Sequence, residues 1–314
     1  MKCFSSTLFQ TIFLNVAFVV ICAYSSYGQA PKLFTLADFD LKGNVKECLV
    51  ITDYGKEEFE FNKAGYLTKL TTRYSDTDYD ISYYKYNNDQ LLEKRLENYR
   101  EGQLDPKTSI ANIFSLDTTI ARKVTEKIYS YQNEFLDQYE YNYDEHNRLV
   151  SIRRSNKIGL DETIIDYDSL KGEVTQTFEL SGQVQKSIRT SLTNQKEGAS
   201  LTTELVKEFL EGEPVNAREK TVDSLGRVLK ELKFDFQEKE GSFVIKEVNE
   251  YRYNIDGLLA VKTTTAGKSV QKKEYVYQLD GTEYANWIKQ IILPDNSYIT
   301  RKITYYENQP ELKE

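Results

Sequence analysis

The sequence predicts an all-β fold, an extended and curved antiparallel meander sheet built from repeated hairpins. Two observations lead to this prediction: one turn motif recurs along the chain, and the segments between the turns favour strands. "SFVIKEVNEYRYN", "SVQKKEYVYQ" and "SYITRKITYY" are rich in Val, Ile, Thr, Tyr and Phe. Each such segment is therefore predicted to be a strand, and each turn motif to be the corner that joins it to the next.

The recurring turns place Asn or Asp first and Gly, in one case Asn, fourth. A type I turn favours these residues, because the first side chain accepts a hydrogen bond from the backbone and the fourth residue must reach a left-handed conformation. Followed by a bulge, such a turn joins two antiparallel strands. The predicted structural turn residues are Asn62 with Gly65, Asp144 with Asn147, Asp223 with Gly226, and Asn254 with Gly257.

Pairs of tyrosines two positions apart precede turns of this kind. Residues two apart in a strand face the same side, so each pair is directed at one face of the sheet. Cross-strand stacking of such rings contributes about 0.2–1 kcal/mol per pair. The pairs are Tyr84 with Tyr86, Tyr139 with Tyr141, Tyr251 with Tyr253, and Tyr275 with Tyr277.

Two windows have a helical spacing of apolar residues. They are 106–124 and 201–210, and the second also fits a strand that leads into the turn at 211–214. The first window marks a possible subdivision near 100–125 of an otherwise continuous β domain over residues 31–314.

Residues 1–30 are predicted to be a secretory signal peptide. An apolar run from Leu8 to Tyr24 follows Lys2, and small or turn-forming residues come next, which favours cleavage after Gly28 or Ala30. An uncleaved membrane anchor is the alternative, since the run approaches the length of a membrane span. The mature chain is then expected to have no integral membrane segment and to be secreted or periplasmic.

Cleavage would leave Cys48 as the remaining cysteine of the mature chain, so no intramolecular disulfide is expected. Cys48 lies in the alternating segment "VKECLVIT" and is predicted to be a buried small hydrophobe. The net charge of −8, with Lys and Glu interspersed, argues against nucleic acid and anionic lipid as partners.

Several segments resemble the YD or RHS repeat of secreted bacterial proteins. The matching positions are Tyr141 to Leu149, Asp223 to Leu229 and Tyr251 to Leu258, with Asn62 to Leu67 and Tyr275 to Trp287 as looser copies. Large members of that family wind a long sheet into a shell around a toxin. This chain is too short to close such a shell, so the resemblance implies an extended sheet without the toxin biology.

The residue inventory predicts that the protein is not an enzyme and needs no cofactor or metal. His146, the one histidine, is third in a predicted turn, where a solvated side chain is expected. One Cys and one His cannot supply a usual zinc site. Carboxylates at alternate positions leave calcium binding and glycosidase chemistry as weaker alternatives; they are Asp76, Asp78 and Asp80, and Asp166 and Asp168.

The function predicted from these features is that of a non-enzymatic scaffold or binding protein, secreted or associated with the cell envelope. The first alternative is carbohydrate binding on the Tyr and Trp face of the sheet, with Tyr251, Tyr253, Tyr275, Tyr277 and Trp287 as ligand-binding residues. A glycoside hydrolase is the second alternative. A third is association through an open sheet edge, and the expected partners are an envelope protein or a polysaccharide.

Overall fold

A computed structural model describes residues 32–87, 89–194 and 200–307. The predicted signal peptide therefore lies outside the described residues. Almost all of the described chain is β-strand, preceded by one short 3-10 helix at Leu36–Phe39. In chain order the strands are β1 Val45–Thr52, β2 Gly55–Phe61, β3 Leu67–Arg73, β4 Tyr79–Asn87, β5 Gln90–Arg100, β6 Gln103–Asp117, β7 Lys123–Ser130, β8 Phe135–Tyr143, β9 Leu149–Asn156, β10 Leu160–Leu170, β11 Glu173–Leu180, β12 Gln183–Asn194, β13 Ser200–Leu210, β14 Glu213–Val222, β15 Val228–Gln237, β16 Ser242–Tyr253, β17 Leu259–Ala266, β18 Ser269–Leu279, β19 Trp287–Leu293 and β20 Ser297–Tyr305.

The strands form a closed antiparallel barrel. Each strand pairs with the next along the chain, and β20 pairs with β1 with Arg301 opposite Val50 and Ile303 opposite Cys48. The prediction of an open, curved sheet is therefore wrong. The same pairing removes the open edge proposed for association, since β1 and β20 pair with each other.

Both windows with helical spacing are strands. Residues 106–117 belong to β6, and 201–210 belong to β13. Residues four apart, such as Leu201, Leu205 and Phe209, share a side in a strand as well as in a helix, so this spacing in a short window does not separate the two structures. Residues 100–125 contribute β6 and the start of β7 to the same barrel wall as their neighbours.

Strand alternation sorts the side chains into an inward and an outward set. On β2, Phe59 and Phe61 point inward and are buried, while Glu58 and Glu60 point outward and pair with Arg73 and Lys69 of β3. A barrel of 20 strands is wider than its own wall side chains can fill, so it has a lumen.

The turns at one end of the barrel are those that the sequence predicts. In an up-and-down barrel, every second turn lies at the same end, and the turns after β2, β8, β14, β16 and β18 share one end, here called the turn end. Residues 33–41, the inner segment, lie inside the barrel near this end. Phe39 packs on the rings of Phe59 and Phe61 at centroid distances of 4.8 and 5.6 Å.

Hydrogen bonds fix the inner segment to the turn end. The Leu36 amide donates to the Gly65 carbonyl, and the Leu67 amide donates to the Phe34 carbonyl. The buried Asn286 side chain accepts from the Lys42 amide and donates to the Lys42 carbonyl, each at 2.8 Å. The inner segment is therefore a part of the barrel's packing at that end.

Candidate functional site: the lumen chamber

A cavity of about 650 Å³ lies inside the barrel and is here called the lumen chamber. The inner segment, β1 and β2 line one side, and strands β14 to β20 with the turn after β16 line the rest. The chamber is a consequence of closure, since it joins residues from both ends of the chain. Its lining combines aromatic rings with Asp40, Glu57, Lys220, Glu231 and Arg301.

The predicted ligand-binding residues face the lumen. Tyr251, Tyr253, Tyr277 and Trp287 line the chamber, whereas Tyr275 is packed in the apolar core with 7% of its surface exposed. The sequence analysis placed these rings on one face of the sheet, and closure of the sheet makes that face line the lumen. Ligand binding by these residues stays a prediction.

The predicted turn residues lie at the turn end. The Asn62 side chain accepts from the amides of Ala64 and Tyr66, both at 3.0 Å, and Gly65 has a φ of +82°. Asn147, in the equivalent position, has a φ of +61°. Gly226 and Gly257 adopt the same left-handed conformation, after Asp223 and Asn254, and Gly257 also lines the chamber. These residues shape the corners that hold the strands in register.

The second tyrosine of two pairs joins neighbouring hairpins. The Tyr253 hydroxyl donates to the Val228 carbonyl at 2.9 Å, and the Tyr277 hydroxyl donates to the Leu259 carbonyl at 2.9 Å. Tyr167 makes the same bond to the carbonyl of Leu149 at 3.0 Å. In each case the acceptor is the first residue of the strand after a turn of the predicted type. These tyrosines therefore have a structural role that is independent of any ligand.

The Arg301 side chain forms polar contacts between the barrel wall and the inner segment. Its Nη2 donates to the Phe39 carbonyl at 3.0 Å, and its Nη1 donates to the Asp40 carbonyl at 3.4 Å. The guanidinium carbon lies 3.5 Å from the centroid of the Trp287 ring, an arrangement that favours a cation. Burial lowers the pKa of Arg301, although that group stays charged at physiological pH.

Glu57 is the most perturbed carboxyl of the chamber. Burial raises its pKa to about 7. Burial also raises the pKa of Asp40, and the nearby charges of Arg301 and Lys42 oppose that rise. Val50 separates Glu57 from Arg301, because it is the cross-strand partner of both. The two charges are thus two strand spacings apart, about 10 Å between backbones.

Sequence reasoning missed Glu57 and Arg301, although alternation contained the signal. Glu57 shares its strand phase with Phe59 and Phe61, so it belongs to the buried face of β2. Arg301 likewise shares its phase with Ile299 and Ile303 on β20. A charged residue in phase with buried apolar residues is unusual, because charged side chains are rarely buried, and it therefore indicates a candidate functional position.

The residues considered for catalysis and calcium binding lie elsewhere. His146 is exposed in its turn, 3.8 Å from the Glu145 carboxylate. Asp80 pairs with Arg100 and accepts from the Tyr74 hydroxyl, while Asp166 and Asp168 follow the outward phase of β10. Within the described ranges, no three His, Cys, Asp or Glu side chains are grouped as metal ligands. The absence of catalytic activity stays a prediction.

Cys48 is buried, with 2% of its surface exposed, as predicted from its alternating segment. Burial raises the pKa of its thiol to about 11, so the thiol is neutral and unreactive at ordinary pH. It packs beside Val50 in the chamber wall.

Comparisons with known proteins add little to this description. No family model matches the chain, and no curated protein matches it. A porin-like protein from Bacteroides vulgatus is similar in structure over 84% of this chain and 99% of its own, with 10% sequence identity and a TM-score of 0.22. At that TM-score the likeness does not support an assignment, and the resemblance to the YD repeat stays a prediction.

The predicted scaffold function is wrong in the form in which it was stated. It was stated for an extended sheet, whereas the pairing of β20 with β1 closes the sheet into a barrel, directs the tyrosine face to the lumen and leaves no unpaired edge among the described strands. A closed barrel of many strands fits an association with the cell envelope. No helix within 32–87, 89–194 and 200–307 has the length and hydropathy needed to cross a bilayer.

Proposed function

We propose that this protein is an envelope barrel that acts through its lumen, admitting a small solute to the lumen chamber. The observation that carries the proposal is the convergence of aromatic and charged side chains on one cavity inside a closed wall. Binding pockets typically combine a mostly apolar lining with a few polar groups that orient the ligand. Tyr277, Trp287, Glu57 and Gln290 give the chamber this composition.

The outward face supports a barrel whose wall is in contact with water. Lipid-facing barrels carry an apolar band about 25 Å tall, and an outward Lys or Arg near the midplane costs about 2–4 kcal/mol. Outward positions here carry ion pairs between neighbouring strands, such as Glu58 with Arg73 at 2.7 Å and Glu60 with Lys69 at 2.9 Å. We therefore propose a water-filled compartment of the envelope, such as the periplasm, as the site of action.

Fractionation of cells that produce the full chain tests the location. Release by osmotic shock, together with loss of the leader, is expected for a barrel with a hydrated wall. Retention in the outer membrane, with release by detergent alone, would contradict the hydrated wall and favour a membrane channel.

Trp287 provides a direct test of solute entry, because it is the one tryptophan of the chain and lines the chamber with 6% of its surface exposed. A neutral quencher, acrylamide, is expected to quench its fluorescence in the folded protein. Val50→Phe fills part of the chamber and is expected to reduce the quenching constant severalfold. The matched control is Leu49→Phe, on the outward face of the same strand.

Two outcomes would overturn the proposal. One is a folded wild-type protein in which acrylamide does not reach Trp287. The other is equal quenching in Val50→Phe, Leu49→Phe and the wild type. If Val50→Phe does not fold, as judged by circular dichroism, Val228→Phe fills the chamber from the β15 side and takes its place.

A further inference from the structure

Glu57 is the charged group of the chamber for which the described residues supply no counter-ion. Its carboxyl has no hydrogen bond or ion pair within 32–87, 89–194 and 200–307. Its cross-strand neighbours are Val50 and Thr72, which are uncharged, and the titratable group of the wall that it influences is Tyr74. A carboxylate in this setting is unsatisfied, because burial penalises its charge and no partner offsets the penalty.

The other charges of the chamber are compensated. Lys220 lies across from Glu204 on β13 and Glu231 on β15. Glu231 also accepts from the Tyr251 hydroxyl at 3.4 Å and is 3.9 Å from Arg218. Arg301 donates through its Nη atoms to the carbonyls of the inner segment and lies on the Trp287 ring, while its buried Nε has no hydrogen-bond partner among the described residues. The positive charges of Arg301 and Lys42 act on the Asp40 carboxyl. The missing partner in the chamber is therefore a cation beside Glu57.

The position of Glu57 favours a cation that arrives from outside. It is near the start of β2, at the end of the barrel opposite the turn end, whereas the inner segment occupies the turn end. A solute that enters from the end without the inner segment passes Glu57 before it reaches Trp287 and Tyr277. Aromatic faces attract cations, and they also take up apolar groups that an inorganic ion lacks.

We propose that the lumen chamber binds an organic ammonium group on a small apolar or aromatic body, with the Glu57 carboxylate as its counter-ion. The charge-assisted contact orients the ammonium group, and the rings of Phe59, Tyr277 and Trp287 surround the apolar body. This inference rests on the proposed function, since it names the class of solute that the chamber admits.

Three probes of similar size test the charge preference: phenethylammonium, 2-phenylethanol and phenylacetate. Binding is followed at pH 8.5 through Trp287 fluorescence and, independently, by isothermal titration calorimetry. Phenethylammonium is expected to bind at least tenfold more tightly than the other two. Glu57→Gln is expected to remove this preference, whereas Glu58→Gln, the outward neighbour on the same strand, is expected to keep it.

The pH dependence gives a second readout. At pH 5.5 most Glu57 is protonated, so the affinity for phenethylammonium is expected to fall severalfold in the wild type and to change less in Glu57→Gln. The other titratable or charged groups that face the chamber are Asp40, Glu231, Lys220, Arg301, Cys48, Tyr251, Tyr253 and Tyr277. Burial raises the pKa values of Cys48 and the three tyrosines, so these groups stay neutral over this range.

The outcomes separate this inference from the proposed function. Equal binding of the three probes, or a cation preference that survives in Glu57→Gln, would overturn the ammonium site while leaving solute entry intact. Exclusion of acrylamide and of all three probes from a folded protein would overturn the proposed function and the site together.

Discussion

Two parts of the barrel wall share one strand pattern but differ on their inner face. The apolar wall consists of β1 to β6 with β18 to β20, and its inward residues form a core with the inner segment. The ionic wall consists of β12 to β17, and many of its inward residues are charged. Lys186 lies across from Glu208, Glu204 from Lys220, and Lys233 from Glu247.

The difference follows from what lies over each wall. The inner segment covers part of the apolar wall with Leu33, Phe34, Leu36, Phe39 and Leu41, so apolar inward residues there are removed from water. The buried residues of the two apolar clusters include none from β12, β13, β15, β16 or β17. Charged residues paired across the strands suit an inner face that stays wet. Whether the inner face of the wall is apolar or charged therefore follows from whether the inner segment covers it.

The largest expected effect compares one substitution in the two walls. Leu67→Ala, at a position with 0% exposure beneath the inner segment, is expected to lower the free energy of unfolding by about 2–5 kcal/mol. Leu192→Ala, on the inward face of the ionic wall with 61% exposure, is expected to change it by less than about 0.5 kcal/mol. Urea denaturation measures both, and similar losses would mean that the ionic wall is also covered.

Arg301→Met tests whether the inner segment depends on this side chain. The substitution removes two hydrogen bonds from a charged donor to the carbonyls of Phe39 and Asp40, and a loss of about 1.5–3 kcal/mol is expected. Limited digestion with trypsin should then cut faster at Lys42. Lys302→Met, the outward neighbour, is the control, and unchanged cleavage in Arg301→Met would show that packing alone holds the segment.

Tyr253→Phe measures the bond that joins two hairpins within the ionic wall. Removing the hydroxyl leaves the Val228 carbonyl without its donor, and a loss of about 0.5–1.5 kcal/mol is expected. Tyr298→Phe, at an exposed position, is the matched control, with no change expected beyond error in the same denaturation assay. Equal values for the two variants would contradict a structural role for the Tyr253 hydroxyl.

The smallest effect is expected in the ionic wall. Lys233→Met breaks a 2.9 Å ion pair with Glu247. The side chain of Lys233 is 44% exposed and that of Glu247 is 23% exposed. Such hydrated pairs contribute about 0–1 kcal/mol, and salt weakens them. The difference between Lys233→Met and wild type should therefore shrink in 1 M NaCl. A larger loss that is independent of salt would mean that this pair is shielded from water.

Part of the fold could be predicted because it depends on neighbours in sequence. The turn at 62–65 needs an acceptor in its first residue and a left-handed fourth residue, and both are visible in the letters. The shared face of Tyr251 and Tyr253 follows from strand alternation. Alternation applied to Glu57 and Arg301 would also have placed both on the buried face, which makes them recoverable from sequence.

The identity of the chamber could not be predicted in this way. Val50 and Glu57 already face each other in the β1–β2 hairpin, but Arg301 and Trp287 join them through the pairing of β20 with β1, strands at opposite ends of the chain. No local propensity records such a pairing, and no cysteine pair or metal site marks it. Residues 201–210 show the same limit of local sequence information. Their spacing also fits a helix, and pairing with β12 and β14 makes them a strand.

The sequence by itself determined the strands, the corners between them and the side of the sheet that each tyrosine faces. These features depend on backbone preferences and on residues a few positions apart. Tertiary structure alone decided that the sheet closes, because closure depends on twist and stagger accumulated over 20 strands until β20 meets β1. That one pairing turned the tyrosine face into the wall of a chamber.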